Sequence, residues 1–291
     1  MTLLQVLVLA FIQGFSEFLP VSSSAHLIFP GKLLEWPDQG LAFDVAVHMG
    51  TLLAVIIYYL ADLVQIFTHV IEATIRRRQT PISRVGFCLI IGTLPVCIFG
   101  ALFEDKISTV ARSLDVIAYA TIGFGLLLGV ASYVNRHLVW RNILDQEGER
   151  ADTLRHMNFQ QAFIIGCAQV LALIPGTSRS GITITAGLFL GLRPEAAARF
   201  SFLLAIPVIF ASGVWEGYKL WHEPEIAGAA EGMQMFVGGA VSFFVALAVI
   251  HIFMKFIARS GMALFVIYRV LLGALFAGNA SALIYSLLGA L

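Results

Sequence analysis

Between Gln13 and His26 the chain reads QGFSEFLPVSSSAH, a carboxylate, an imidazole, three hydroxyls and a proline set among hydrophobes. Gln13 and Glu17 are four residues apart and share one face of a helix. An amide oxygen and a carboxylate placed that way can share a hard divalent cation, which prefers oxygen ligands and keeps waters for a substrate's phosphates. Glu17 has two other readings: it caps the amides of Ser22 or Ser23, or it pairs with Arg179. Ser22, Ser23 and Ser24 follow Pro20 and lead into a helix bearing His26. Ser23 and His26 are three apart, so the imidazole can take the hydroxyl proton if both face one cavity. A serine after a proline also serves as a plain helix cap, so one can cap while another reacts.

A second polar stretch, PGTSRSGIT, runs from Pro175 to Thr183. Gly176 permits a tight turn, the first amides of the new helix point at the bend, and Arg179 offers a forked donor matched to phosphate oxygens. Ser178, Ser180 and Thr183 add hydroxyl donors. The two stretches together make a cation-assisted and arginine-assisted phosphoryl-transfer site, and the absence of a P-loop sequence gives no indication of a nucleotide. Asp44 and His48, also four apart, can line the same cavity. His251 and Arg269 are expected to pair with backbone or headgroups, Lys255 and Arg259 to snorkel, and Trp215 and Trp221 to anchor at an interface.

The elements that carry these residues lie in a membrane. Of 291 residues 59% are hydrophobic and 12% charged, against about 25% charged in a soluble domain. Spans are expected near 41–60, 86–104, 113–134, 195–218, 233–254 and 262–280, since roughly 20 apolar residues cross the hydrocarbon as a helix. Strands of a membrane barrel would alternate apolar and polar residues, and no such pattern is present. The N-terminal segment lacks a basic region and a small-residue cleavage site, which argues against a removable signal peptide. Cys88, Cys97 and Cys167 show no metal-ligand spacing. Net charge is zero and the only basic tract is Arg76 to Arg78, so nucleic-acid binding has no support.

Residues 3–34 and 159–191 are apolar but broken, at Pro20 and Pro175, so each is expected to form two half-helices in a re-entrant hairpin. Aligned on the prolines the two match at an offset of 155, Leu19 with Ile174, Ser22 with Thr177 and Ser23 with Ser178. Three spans follow each hairpin, an odd number, so the second half is expected to be inverted, with its site near the bilayer midplane. The fold class is thus all-α integral membrane, an inverted-topology repeat of about six full spans and two re-entrant hairpins. The first repeat covers 1–134, a solvated cytoplasmic linker 135–157 and the second repeat 158–291. With the 61–85 loop cytoplasmic, that side collects twelve basic residues (Arg76, Arg77, Arg78, Arg84, Arg136, Arg141, Arg150, Arg155, Arg193, Arg199, Lys255 and Arg259). The other holds Lys32, Lys106, Arg112 and Lys219. The positive-inside rule then puts both termini outside.

QGFSEFLPVSSSAHL and PGTSRSGIT resemble the two signature motifs of the undecaprenyl-pyrophosphate phosphatase family, the type associated with bacitracin resistance. FDVAVHMGTLLAV, GLRPEAAARFSFLLAIP and FVIYR agree, so the resemblance covers nearly the whole chain. It implies a phosphoric anhydride hydrolase of the bacterial plasma membrane, its site opening outward, with Mg²⁺ or Ca²⁺ dependence. The implied reaction takes undecaprenyl pyrophosphate to undecaprenyl phosphate and inorganic phosphate and recycles the lipid carrier for peptidoglycan synthesis, with bacitracin competing for the lipid; a homodimer is left open. Gln13 and Glu17 match the family's E/Q-x-x-x-E motif, with Gln where a second carboxylate can stand. Ser22, Ser23 and His26 match its serine and histidine positions, and Ser178, Arg179, Ser180 and Thr183 its phosphate-binding motif. Glu17, Ser23, His26 and Arg179 are the expected catalytic groups. The alternative is a polyprenyl-phosphate transporter or flippase, alone or combined with the phosphatase, because broken helices in inverted repeats are common in transporters.

Overall fold

The computed structural model describes residues 1–34, 36, 39–110, 113–139, 154–223, 225 and 231–277, and among them every regular element is helical. The two broken segments are built alike. Helix α1, Leu3–Ser16, starts at a capping box in which Thr2 and Gln5 exchange side-chain and backbone hydrogen bonds. After the first bend comes α2, Ser23–Leu33. In the second half α7, Phe159–Val170, starts at the same box made by Asn158 and Gln161, and α8, Arg179–Phe189, follows its bend.

Helices α2 and α8 have eleven residues each, and each is preceded by a serine at positive φ, Ser22 at 74° and Ser178 at 70°. Thr2 and Asn158, Ser22 and Ser178, and Ser23 and Arg179 are all 156 apart (158−2, 178−22, 179−23). The two broken segments therefore correspond at an offset of 156, where the prolines alone suggest 155. Prolines mark where a helix must stop, but caps decide where the next begins. Pro175 stands one residue earlier relative to its new helix than Pro20 does. Gly176, at φ 93°, takes up the difference; a Cβ there would lie 2.5 Å from the Ile117 carbonyl oxygen.

The other elements are α3 Leu41–Tyr58, α4 Leu60–Arg76, α5 Pro81–Val110, α6 Leu114–Val134, α9 Pro194–His222, α10 Gly232–Ser260 and α11 Ala263–Ala277. Among the described residues five helices, α3, α5, α6, α9 and α10, are long and apolar enough to cross a membrane. The sixth expected span, 262–280, is seen as α11, and its remainder lies outside the described residues. The expected 61–85 loop is largely helical instead. Its polar positions recur with a helical period, and Thr80 and Ser83 cap α5 reciprocally with Pro81 at the first position, so that span starts five residues before the expected 86. Residues 140–153 of the linker, with Arg141, Asp145, Glu147, Glu149, Arg150 and Asp152, and also Arg112, lie outside the described residues; so do the side chains of Lys32, Lys106, Arg155 and Arg259.

Packing is crossed between the halves. Helix α1 lies against α10, α7 against α5, α3 against α9 and α10, and α6 against α11. Small residues permit these crossings: a Cβ on Gly50 would sit 2.2 Å from the Gly239 carbonyl oxygen, and one on Gly166 2.5 Å from that of Gly92. Backbones that close gain dispersion contacts that lipid cannot supply. Phe18, next to Glu17, is fully buried and meets Phe202 of α9 edge-to-face at 5.2 Å. Outward-facing Leu3, Phe67, Tyr119, Phe244 and Leu271 are exposed, the apolar exterior a bilayer requires. Trp215 and Trp221 are exposed too, and the Lys219 ammonium lies over the Trp215 ring.

Candidate functional site

The last turn of α1 carries Gln13 and Glu17 into the interior, Gln13 fully buried and Glu17 8% exposed. A carboxylate there is tolerated only if its lone pairs and charge are met. Arg179 donates from Nη2 to Glu17 Oε1 at 3.1 Å, and Ser23 Oγ and Gln13 Nε2 each donate to Oε2 at 3.0 Å. His48 Nε2 stands 3.8 Å from the same oxygen. The Arg179 pairing joins the two bends, 162 residues apart in the chain. The guanidinium also reaches the Ser201 carbonyl of α9.

The expected Ser23–His26 contact is not formed. His26 Nδ1 donates to the Ser22 carbonyl at 2.6 Å, which leaves Nε2 as the acceptor for the Tyr268 hydroxyl at 2.5 Å, and the two rings stack. The i, i+3 spacing does not bring the groups together because Ser23 is the first residue of α2, its hydroxyl drawn back to Glu17, while the imidazole turns back to cap its own helix start. That Nδ1–H bond helps hold Ser22 at a positive φ, which for a non-glycine residue costs on the order of 1–3 kcal/mol.

Ser178 caps α8, its Oγ accepting from Gly181 N at 3.1 Å, and lies 3.3 Å from Ser180 Oγ. Ser180 donates to the Leu19 carbonyl at 2.8 Å, and Ser24 Oγ accepts from Gly176 N, so each bend is tied to the other. Thr183 bonds to the Arg179 carbonyl and to Ser201 Oγ. Ser180 and Thr183 thus brace the bends and are not among the cavity-lining residues.

A cavity of about 260 Å³ opens between the bends, lined among others by Glu17, Ser22, Ser23, Ser178 and Arg179. His48 lines it; Asp44 does not, its carboxylate accepting from Gln39 and its carbonyl from His48 Nδ1. Three polar lining residues are new to the set expected from sequence: Gln169, Ser212 and Glu216. Glu216 is an acid in an otherwise apolar stretch beside Trp215, a readable signal. Gln169 is the counterpart of Gln13 at the offset of 156 and, like it, is fully buried with Oε1 unpartnered.

Among the described residues no three His, Cys, Asp or Glu side chains converge as a metal cage. The Glu17 and Glu216 carboxylates face the cavity, however, and Gln13 Oε1 is buried without a donor. With the Gln13 amide turned over, that oxygen would face Glu17 Oε2, an arrangement a cation between them stabilises. One or two protein oxygens, with the rest from substrate and water, fit a hard divalent ion.

Apolar helices of spanning length around a cavity that holds an ion-paired carboxylate, hydroxyls and an arginine define a multi-pass helical membrane protein with a polar internal site. Residues 6–275 match the family model of bacitracin resistance protein BacA, and the chain belongs to that family. Three relatives are named undecaprenyl-diphosphatase. The protein from Teredinibacter turnerae is 50% identical over 275 residues, 94% of this chain and 98% of that one. Undecaprenyl-diphosphatase 1 of Pseudoalteromonas translucida is 46% identical over 273 residues, and that of Hahella chejuensis 47% over 282, each over 94% of this chain and 97% of the relative.

Proposed function

We propose that this protein is an undecaprenyl-diphosphate phosphatase of the bacterial plasma membrane, converting undecaprenyl pyrophosphate to undecaprenyl phosphate and inorganic phosphate. The observation that carries this reading at the residue level is the convergence of Ser23, Glu17 and Arg179 on one cavity. Arg179 and the amides opening α8 bind the pyrophosphate oxygens. Ser23 Oγ attacks the terminal phosphorus and passes its proton to Glu17 Oε2; the bond from that phosphorus to the bridging oxygen breaks and undecaprenyl phosphate leaves. Water then attacks the phosphoserine phosphorus, the P–Oγ bond breaks as Glu17 returns its proton to Oγ, and phosphate leaves carrying the protons of the water. The Ser23–Glu17 hydrogen bond favours Glu17 over His26 as proton acceptor, because both imidazole nitrogens are engaged elsewhere.

Glu17, with Gln13 turned toward it, would hold Mg²⁺ or Ca²⁺, whose charge neutralises the pyrophosphate when bound.

The inverted-repeat plan, with halves 1–134 and 158–291 joined by a cytoplasmic linker, is part of this proposal. Gln161 at the start of α7 donates to Leu190 O just past α8, so that hairpin returns to the side where it began. The Asp62–Arg199 pair at 2.7 Å joins two regions that the charge count puts in the cytoplasm. Gln234 Nε2 on the Met1 carbonyl joins two that it puts outside. The cavity would then open outward.

The test is inorganic phosphate release from undecaprenyl pyrophosphate by purified protein in detergent, with and without EDTA. EDTA-sensitive release restored by Mg²⁺ is expected. Binding of the lipid without release would support the transporter, since flipping leaves the phosphate count unchanged.

A further inference from the structure

Arg269 is carried on α11, and its whole side chain is buried between the two bends. Nε donates to the Thr121 carbonyl of α6 at 3.1 Å, and Nη1 to the Pro20 carbonyl of the first bend at 3.4 Å. Nη2 donates to the Gly176 and Thr177 carbonyls of the second bend, both at 2.9 Å. Each of these acceptors is a main-chain carbonyl. Two other helices make room for the side chain: a Cβ on Gly125 would lie 2.8 Å from Arg269 Cβ, and one on Gly181 2.7 Å from Nη1.

A broken helix leaves carbonyls unmatched at its C-terminal half and amides unmatched at the start of the next half. Across a trans peptide the N–H points opposite to the C=O, and no cis peptide is found among the described residues. With the Thr177 carbonyl held on Arg269, the Ser178 N–H is turned the other way, away from the guanidinium, and Ser178 and Arg179 are both residues that line the cavity. The amides of Ser178, Arg179 and Ser180 find no acceptor among the described residues.

We infer that Arg269 is a positioning residue for the reaction: one guanidinium holds the carbonyls of both bends, aims the amides that open α8 into the cavity and keeps Ser23 in register with Arg179. The inference rests on the phosphatase reading. It assigns Arg269 an effect on the transition state without contact to substrate.

Phosphate release from undecaprenyl pyrophosphate is measured over a range of substrate concentrations for the purified full chain, Arg269→Lys and Gly125→Ala, with thermal denaturation of each. Lysine keeps the charge but, as a point donor, does not span four carbonyls. Arg269→Lys is expected to lose about 100-fold or more in kcat, the scale of one lost oxyanion donor, with a smaller rise in KM, since the amides share the bound pyrophosphate with Arg179, which persists. Gly125→Ala displaces the arginine from α6 without touching either bend, and alanine is the better helix former. It should lower kcat in the same direction. A folded Arg269→Lys within threefold of the parent kcat, a raised KM at unchanged kcat, or a folded and fully active Gly125→Ala each overturns the positioning role. If Arg269→Lys does not fold, Gly125→Ala decides. A parent chain that releases no phosphate refutes the phosphatase reading instead.

Discussion

Glu17→Gln keeps the shape of the site's central acceptor and removes its charge. The carboxylate faces three donors, Arg179 at Oε1 and both Ser23 and Gln13 at Oε2, whereas a carboxamide presents one oxygen and one NH₂. With the oxygen toward Arg179, the NH₂ turns to Ser23 and Gln13, where the Ser23 hydroxyl must accept instead of donate and the Gln13 amide must turn over, and a buried donor left unmatched costs about 1–3 kcal/mol. With the oxygen toward Ser23, Arg179 loses its partner, and breaking a buried pair costs about 3–5 kcal/mol. The chain adopts the cheaper arrangement, so Ser23 loses its proton acceptor while the fold survives. General-base contributions of about 10²–10⁴ then set the expected drop in kcat, roughly 3–5 kcal/mol in the barrier. The assay is phosphate release at saturating lipid, alongside thermal denaturation, for Glu17→Gln, Ser23→Ala and the double variant. Residues acting as one unit are non-additive, so the double variant should be no worse than the worse single one. If folded Glu17→Gln keeps kcat within tenfold while Ser23→Ala abolishes it, Glu17 is not the acceptor. Near-normal turnover by Ser23→Ala ends the covalent scheme.

Tyr268→Phe removes the hydroxyl on His26 Nε2 and leaves Ser23 and Glu17 in place. The loss of one hydrogen bond worth about 1 kcal/mol should lower kcat by less than about tenfold and keep the shape of the pH–rate profile; a shifted limb would put the imidazole in the proton path. Gly50→Ala forces a Cβ to within 2.2 Å of the Gly239 carbonyl oxygen. Overpacking of about 3 kcal/mol should lower the thermal midpoint by roughly 5–10 °C, and an unchanged midpoint would mean that the α3–α10 crossing relaxes freely. In a chain without Cys88, Cys97 and Cys167, Lys219→Cys should react with an impermeant thiol reagent outside intact cells; selective labelling from the cytoplasm would reverse the proposed orientation.

The chemistry-bearing residues were legible because each is costly where it stands. Glu17, Arg179 and the serines are isolated among hydrophobes, and such residues are retained at membrane depth chiefly for a site. The two breaks were legible from proline for the same reason. Local spacing failed where direction mattered. Ser23 and His26 have the spacing of helical neighbours, but a residue at a helix start still answers to the preceding bend, and Glu17 takes its hydroxyl. Aligning the prolines puts the two bends one residue out of register because proline and serine are conspicuous, whereas the Thr2 and Asn158 boxes look like ordinary polar starts. The many polar residues of helix α4 hide its helical period, so unbroken apolar runs do not reveal it. Arg269 pairs with backbone as expected, but which carbonyls it meets, like the partner of Gln169, is set by groups far away in sequence.

The placement of Arg269 and Arg179 follows from what breaking a helix in a bilayer leaves behind. Each break frees two sets of backbone groups, carbonyls on one side and amides on the other, and hydrocarbon satisfies neither. The carbonyls of Pro20, Gly176 and Thr177 meet Arg269, a donor that cannot be deprotonated away. The amides that open α8 are left for an anion, and Arg179, first residue of that helix, adds its charge beside them. The carboxylate that holds Arg179 in the resting site is the same one that accepts from Ser23. In the proposed mechanism an entering pyrophosphate would compete with Glu17 for the guanidinium, and as Arg179 turned to the phosphate oxygens Glu17 would lose a stabilising positive neighbour and become a stronger base for Ser23. Substrate binding and nucleophile activation would thereby be coupled through a single ion pair. Arg179→Lys should accordingly weaken binding and slow the chemical step together, whereas a rise in KM at unchanged kcat would separate the two roles.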